Sequence, residues 1–127
     1  MNEKPVQTYQ DLKVWQAAMD LAEAVYRTTA HFPNSETYGL TAQMRRSAVS
    51  VASNIAEGFG RENRGSFVQF LRIGQGSLKE LETQAILANR IGYIEGPEDV
   101  ELKGRCEEVG KMLRSLIRSV QSKQAGE

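Results

Sequence analysis

The sequence has few of the residues that build disulfides, metal sites or nucleophilic active sites. Its 127 residues include one Cys, one His and three Pro. Cys106 cannot form an internal disulfide, and no Cys or His lies near it at the spacing of a zinc site. His31 lacks the Glu-x-x-His partner that di-iron bundles use. We therefore expect no catalytic residue, no metal and no cofactor.

Excess charge of one sign and long hydrophobic runs are also absent from the sequence. Acidic and basic residues number 16 each, so no overall field attracts the chain to nucleic acid or to a membrane surface. No apolar stretch approaches the roughly 20 residues of a membrane span, and residues 1–10 contain no signal-peptide run. These absences favour a single cytoplasmic domain over residues 1–127, without a membrane partner.

What the sequence does contain is apolar residues at helical spacing, separated by three turn-rich stretches. The turns lie at 33–35, 58–65 and 92–97. We predict four helices, near 10–31, 37–58, 65–91 and 97–122. Because short connections join long helices, the predicted fold class is all-α, an antiparallel up-down four-helix bundle.

Polar residues and glycines indicate where two of these helices end and begin. Asn63 or Ser66 can cap the start of the third helix. At the end of the second helix, we expect Asn54 and Glu57 to bond backbone groups of the following turn. Gly58 would then adopt a left-handed conformation that closes the helix, which is a structural role rather than a catalytic one.

The third helix contains two internal glycines, Gly74 and Gly76. Each costs about 1 kcal/mol relative to alanine inside a helix, so we expect close packing to compensate. A phosphate-binding loop is not expected here. The Gly-x-Gly lies inside a helical pattern, follows no strand and lacks a Gly-Lys-Ser/Thr sequence.

Two helices carry more apolar surface than one bundle core needs. On the first helix, apolar residues spread over more than half of the circumference. On the third helix, Ile73, Leu87 and Ile91 form a patch displaced from the core stripe. Surplus apolar surface on two helices predicts a subunit interface, so we expect a homo-oligomer. The alternative is that loops or the tail cover these patches, but the loops are short.

Arg45 is the unusual residue of the second helix, whose core side consists mostly of small residues. On a helical wheel it falls between Ala52 and Ala56, inside the apolar arc. An unpaired buried charge costs several kcal/mol, so Arg45 must either reach outward or meet a carboxylate. Glu82 on the third helix is one possible partner, and a neighbouring subunit could supply another. We interpret Arg45 as an interface or ion-pair residue rather than a ligand-binding one.

Three basic residues, Arg72, Lys79 and Arg90, fall at similar angles on the third helix. Between Arg45 and Arg90 the chain has seven basic and four acidic residues. Repeated around a homo-oligomer, such a stripe could form a cationic groove for phosphates. The alternative is an ordinary solvated helix face, which is favoured by the zero net charge and the lack of an evident aromatic stacking platform.

Several short motifs together resemble a known bacterial family. The motifs are Asp11-Leu-Lys-Val-Trp15, Phe32-Pro33, Tyr38-Gly-Leu40, Gln43-Met-Arg-Arg-Ser47, Ser53-Asn-Ile-Ala-Glu-Gly58, Phe70-Leu71 and Gly76-Ser-Leu-Lys-Glu-Leu81. The chain resembles the four-helix bundle proteins first noticed as reading frames in intervening sequences of bacterial 23S ribosomal RNA genes, a family mislabelled as ribosomal protein. The resemblance implies an antiparallel bundle and a ring-shaped homopentamer.

A related branch of that family is the accessory protein of diversity-generating retroelements, a basic pentamer that associates with reverse transcriptase and nucleic acid. The sequence and the resemblance together favour a non-catalytic homo-oligomeric scaffold that binds a protein or a ribonucleoprotein. The alternative is direct RNA or DNA binding through the basic residues of the third helix. A third hypothesis, an enzyme, would require a metal or cofactor to copurify with the protein.

Overall fold

The computed structural model describes residues 5–125, in which four α-helices are joined by short connections. The helices are α1 (Lys13–Thr29), α2 (Leu40–Gly60), α3 (Arg64–Arg90) and α4 (Gly96–Ala125). Short 3-10 turns precede α1 at Tyr9–Asp11 and α2 at Asn34–Glu36. No strand occurs in the described part of the chain. The all-α four-helix prediction is confirmed, although α1 is shorter than predicted and α2 starts and ends later.

Contacts between specific residues show that adjacent helices run antiparallel. The hydroxyls of Ser50 on α2 and Ser77 on α3 share a hydrogen bond of 2.8 Å. Later in α2, Gly58 faces Phe70, which lies earlier in α3. Likewise, the backbone oxygen of Lys123 near the end of α4 accepts a hydrogen bond of 3.2 Å from Nη1 of Arg64. The helices contact one another in the order α1, α2, α3, α4 and back to α1, so α1 and α3 lie diagonally, with no pair of their Cα atoms within 8 Å.

The core lies along the axis of the bundle and is built from the apolar stripe of each helix. Its largest fully buried side chains include Leu21, Met44, Ile55, Leu71, Leu78, Leu81 and Leu113. Two aromatic residues of α3, Phe67 and Phe70, are only half-buried. Phe67 instead meets Phe59 edge to face, with 5.9 Å between ring centroids, at the edge of the core. The bundle therefore buries a core of aliphatic side chains with aromatic rings at its margin.

Gly58 has a different role from the one its position in the sequence suggested. It is buried inside α2, which continues to Gly60, and the residue with a positive φ is Glu62, at 56°. A Cβ atom at Gly58 would lie 2.6 Å from the Cβ of Phe70. The prediction of a left-handed cap at Gly58 is therefore wrong. Glycine is needed there because α2 and α3 approach each other closely.

The polar residues at the end of α2 also differ from the prediction. Nδ2 of Asn54 donates to the backbone oxygen of Ser50 at 2.8 Å and to its Oγ at 3.0 Å, so it bonds the preceding turn. Glu57 pairs with Arg61 at 3.7 Å. The N-cap prediction for α3 is confirmed at Asn63, whose Oδ1 accepts a hydrogen bond of 2.9 Å from the Ser66 amide.

The two internal glycines of α3 do not share one environment. Gly74 lies against α2, where an added Cβ would meet the Val51 oxygen at 3.7 Å. Gly76 is exposed, and an added Cβ there would meet nothing within 4 Å among the described residues. Close packing of the glycine is thus observed at Gly74, and the same prediction is wrong for Gly76 within the chain.

The two connections at one end of the bundle are tied together through Glu36. Oε1 of Glu36 accepts a hydrogen bond of 3.0 Å from the Leu40 amide at the start of α2. Its Oε2 accepts one of 3.0 Å from the hydroxyl of Tyr93, which follows α3. This hydrogen bond, with burial and the Glu36 charge, raises the pKa of Tyr93. The Tyr93 ring also packs against Phe32, with 5.2 Å between centroids. The α1–α2 connection is thereby held in place.

Candidate assembly interface

An open groove runs between α1 and α2, and we call it the α1–α2 groove. It encloses about 610 Å³ and is lined mainly by apolar side chains. Its lining includes Trp15, Met19, Ala22, Tyr26, Val49, Ala52 and Ala56. Met19, Tyr26 and Val49 leave 37–45% of their surface exposed. The small side chains on both helices leave room between the larger ones, so the apolar surplus predicted for α1 is visible as a groove that residues 5–125 do not fill.

Towards the α1–α2 connection, the groove widens into a second cavity of about 740 Å³. Tyr26 and Val49 line both cavities, so the two are continuous. Tyr38, at the rim, leaves 95% of its surface exposed. Both Arg45 and Arg46 line this wider end, and none of the described residues lining it is acidic. The wider end therefore combines apolar walls with positive charge.

Arg45 is held at a defined place in this wider end. Its Nε donates to Oγ1 of Thr29 at 2.8 Å, and its Nη2 donates to the backbone oxygen of Tyr26 at 3.4 Å. The guanidinium carbon lies 4.5 Å from the centroid of the Tyr26 ring, a cation–π contact. Oγ1 of Thr29 is itself fixed, because it donates to the backbone oxygen of Val25 at 2.7 Å.

The carboxylate suggested for Arg45 lies elsewhere. Oε1 of Glu82 accepts a hydrogen bond of 2.9 Å from Nζ of Lys79 on the same helix. The pairing of Arg45 with Glu82 is therefore wrong within the chain. Within residues 5–125, Arg45 contacts a hydroxyl, a backbone oxygen and an aromatic face, and it forms no ion pair with a carboxylate there. A neighbouring subunit stays as the other predicted source of a carboxylate.

The second apolar surface is convex and lies on α3, and we call it the α3 patch. It consists of Ile73, Leu87 and Ile91, which leave 47–49% of their surface exposed. Glu80 lies seven residues from both Ile73 and Leu87, so it is on the same side of the helix. It is exposed and makes no hydrogen bond or ion pair within residues 5–125. Sequence reasoning missed Glu80, although its spacing from the two apolar residues was a usable signal.

The three basic residues of α3 lie on a different side from the α3 patch. Arg72, Lys79 and Arg90 are all exposed and extend over about 27 Å of the helix. Lys79 is engaged by Glu82, whereas Arg72 and Arg90 make no ion pair within residues 5–125. The structure therefore places the three residues in a row and does not bring them together around one point.

Few groups in the described part of the chain are arranged for reaction chemistry. No three His, Cys, Asp or Glu side chains converge there in a way that could hold a metal ion. Cys106 is a free cysteine and is buried. The pKa of Cys106 is raised to about 12, mainly by burial. The negative charge of Glu82 also raises this pKa, and the positive charge of Lys79 lowers it. The thiol thus stays protonated at neutral pH. No helix among residues 5–125 is long and apolar enough to span a bilayer.

The model of the family described as 23S rRNA-intervening sequence protein matches residues 10–115 of the chain. The chain belongs to this family. The chain is also similar to a crystal structure of a protein of unknown function from Bacteroides thetaiotaomicron. That protein is described as a member of the S23 ribosomal protein family. The two share 24% sequence identity and a TM-score of 0.75, over 83% of this chain and 95% of the other. No curated protein sequence matches the chain. The family assignment confirms the resemblance seen in the motifs, and the structural similarity supports the helical fold.

Proposed function

We propose that this member of the family is a non-catalytic scaffold that assembles into a closed ring of identical subunits and acts by binding a protein or ribonucleoprotein partner. The observation that carries the proposal is that one chain exposes two unlike apolar surfaces. The α1–α2 groove is concave, and the α3 patch is convex. Contiguous exposed apolar surface of this kind is typical of interfaces. Burying it stabilises the contact by about 25 cal/mol for each Å² of apolar surface removed from water.

Two different surfaces that meet each other make a heterologous contact, which produces either a ring or an open filament. The angle between the two surfaces decides which of these forms. On α2, Val49 and Ala52 face the groove, whereas Arg46 and Ser50 face the cleft beside Glu80 on α3. The two contact surfaces are therefore on adjacent sides of the bundle, and α2 is the corner between them.

Adjacent sides of a four-helix bundle meet at about a right angle. In a closed ring, the two contact surfaces of each subunit meet at about 90° for four subunits or about 72° for five. The proposed contact therefore closes a ring with a small number of subunits. A right angle by itself matches four subunits, and narrowing it by about 18° gives the homopentamer that the family resemblance implies. In such a ring, α2 is nearest to the axis, and its polar residues Arg46, Ser53 and Glu57 face the centre.

The oligomeric state of the purified protein tests the proposal directly. We expect sedimentation equilibrium at micromolar concentration to give one defined oligomer, with five subunits as the expected number. Met19→Glu in the groove and Leu87→Glu in the α3 patch should each dissociate it, because each places a charge in an apolar contact. Val100→Glu is the matched control, since Val100 is 70% exposed on α4 outside both surfaces. A monomeric wild-type protein would overturn the proposal.

The second candidate function is direct RNA or DNA binding, and the observation that favours it is the exposure of Arg72 and Arg90 without an ion pair within residues 5–125. A ring would repeat these charges around its circumference. The test is retention of RNA and single-stranded DNA on a filter at low salt. Charge reversal of Arg72 and Lys79 should weaken retention and reduce its salt dependence if this function is present. Unchanged retention would rule out the basic row as the binding site.

A further inference from the structure

We infer that Glu80 of a second copy of the chain supplies the carboxylate that Arg45 lacks in its own chain, and that this pair sets the register of the assembly. The inference rests on the proposed ring and adds a specific residue pair to it. The site around Arg45 is incomplete without the second copy. Neither Arg45 nor Glu80 has a charged partner within residues 5–125, and the two residues lie at nearly the same level along the bundle.

Arg45 is prepared to receive a carboxylate. A guanidinium group has five N–H donors, and two hydrogen bonds hold Arg45 in place through Nε and Nη2. Its Nη1 makes no hydrogen bond within residues 5–125. The side chain is half-buried and stacked on Tyr26, so it is already ordered before a partner arrives. An ordered arginine loses little conformational freedom when it binds a carboxylate.

Glu80 is the acidic residue that accompanies the α3 patch. It lies midway between Ile73 and Leu87, about 10 Å along the helix from each. Its acidic neighbour Glu82 is already bonded to Lys79, but Glu80 has no such partner in the described chain. A surface that docks Ile73 and Leu87 into an apolar groove must also bring Glu80 into the contact. The charge is then removed from water and needs a cation.

Arg45 and Glu80 lie at nearly the same position along the axis of the bundle. Ser50 and Ser77 lie at one level, because their hydroxyls are hydrogen-bonded. Since α2 and α3 are antiparallel, moving five residues back from Ser50 to Arg45 corresponds to moving five residues forward from Ser77 to Glu82. Glu80 is two residues from that point, or about 3 Å along the axis. In a ring whose bundles stand parallel to its axis, neighbours are related by rotation without translation, so the same levels apply between them.

The same register accounts for the apolar side chains of the contact. Ile73 lies four residues before Ser77 and is therefore level with the part of the α1–α2 groove that Ala52 and Ala56 line. Leu87 lies ten residues after Ser77 and is level with the start of α2, beside Tyr38. Tyr38 is the most exposed large hydrophobic side chain of the described chain, and this contact would cover it.

Among the described residues that line the cleft beside Glu80 in the same chain, Arg46 is a competing cation. Both line the shallow cleft between α2 and α3, although no bond between them forms within residues 5–125. The experiment must therefore separate a pair between subunits from a pair within one subunit. Reversing both charges of a pair restores an attraction only between the residues that interact.

The test is a charge swap followed by sedimentation equilibrium. Arg45→Glu and Glu80→Arg should each raise the dissociation constant of the ring at least about 100-fold, because like charges then face each other in a desolvated contact. The double variant should recover most of that loss. The matched control combines Arg46→Glu with Glu80→Arg and should not recover it. Circular dichroism melting of each variant shows that the subunits remain folded.

The possible outcomes distinguish the pair from the assembly itself. A wild-type monomer overturns both the proposed ring and the pair. A wild-type ring that tolerates both single variants overturns the pair and leaves the ring in place. Recovery with the Arg46 combination instead of the Arg45 combination also overturns it, because Glu80 would then pair with Arg46, in its own subunit or across the contact. Recovery with the Arg45 combination alone supports the inferred pair.

Discussion

The two sides of α2 carry similar small residues but pack very differently. Towards α3, Gly58 allows the backbones to approach so closely that an added Cβ would lie 2.6 Å from Phe70. Towards α1, Ala52 and Ala56 line a groove of about 610 Å³ that the described part of the chain leaves open. Small side chains on a helix therefore have two uses. They permit close packing inside a bundle, and they leave space for a side chain from another molecule.

Filling the groove should have the largest effect on assembly. Ala56→Phe places a large ring among Trp15, Met19 and Ser53, where we propose that a second copy docks. We expect the dissociation constant of the oligomer to rise at least about 100-fold, as for other obstructed interface pockets. The stability of the subunit should change by less than about 1 kcal/mol, because the groove is open to solvent. Sedimentation equilibrium and urea unfolding measure the two effects separately.

Adding a methyl group at Gly58, on the side of α2 that faces α3, should mainly lower the stability of the subunit and have little effect on assembly. Gly58→Ala should lower the free energy of unfolding by about 1–3 kcal/mol, because α2 and α3 must move apart to admit the new Cβ. Gly104→Ala is the matched control. It lies inside α4 with nothing within 4 Å of its added Cβ, so the substitution should raise stability by up to about 1 kcal/mol. Urea unfolding measures both, and equal effects would contradict the close-contact interpretation of Gly58.

A smaller effect concerns the buried thiol on the side of the bundle away from the groove. Because burial raises the pKa of Cys106 from 9.0 to about 12, the folded state holds this proton more tightly than the unfolded state. The contribution to stability is complete below pH 9 and is lost as the pH rises from 9 to about 12. The slope should approach about 1.4 kcal/mol per pH unit. Urea unfolding of the wild type and of Cys106→Ala between pH 9 and about 12 separates the contribution of this thiol from that of other residues. Identical slopes of the free energy of unfolding against pH would contradict the prediction.

The sequence predicts some parts of this account well because they depend on local periodicity. Helical spacing of apolar residues identifies four helices, and it separates Ile73, Leu87 and Ile91 from the core stripe, in agreement with their exposure. The capping of α3 by Asn63 is equally local, since donor and acceptor are three residues apart.

Other features depend on which residues face each other across the bundle, and periodicity does not contain that information. Gly58 resembles a helix terminator until Phe70 is placed opposite it. Arg45 appears to need a carboxylate because its contacts with Thr29 and Tyr26 come from another helix, 16 and 19 residues away. The groove is equally hidden in the sequence, because its depth depends on how α1 and α2 are spaced.

The most direct test of the proposed contact is a cysteine crosslink between the α1–α2 groove and the α3 patch. Met19→Cys combined with Ile73→Cys places one thiol on α1 and one on α3, whose Cα atoms nowhere lie within 8 Å of each other in the subunit, too far apart for an internal disulfide. Cys106 is buried and should not react under native conditions. Mild oxidation should give a ladder of covalent oligomers on a denaturing gel, ending at the ring of five. A product that stays monomeric would contradict the account.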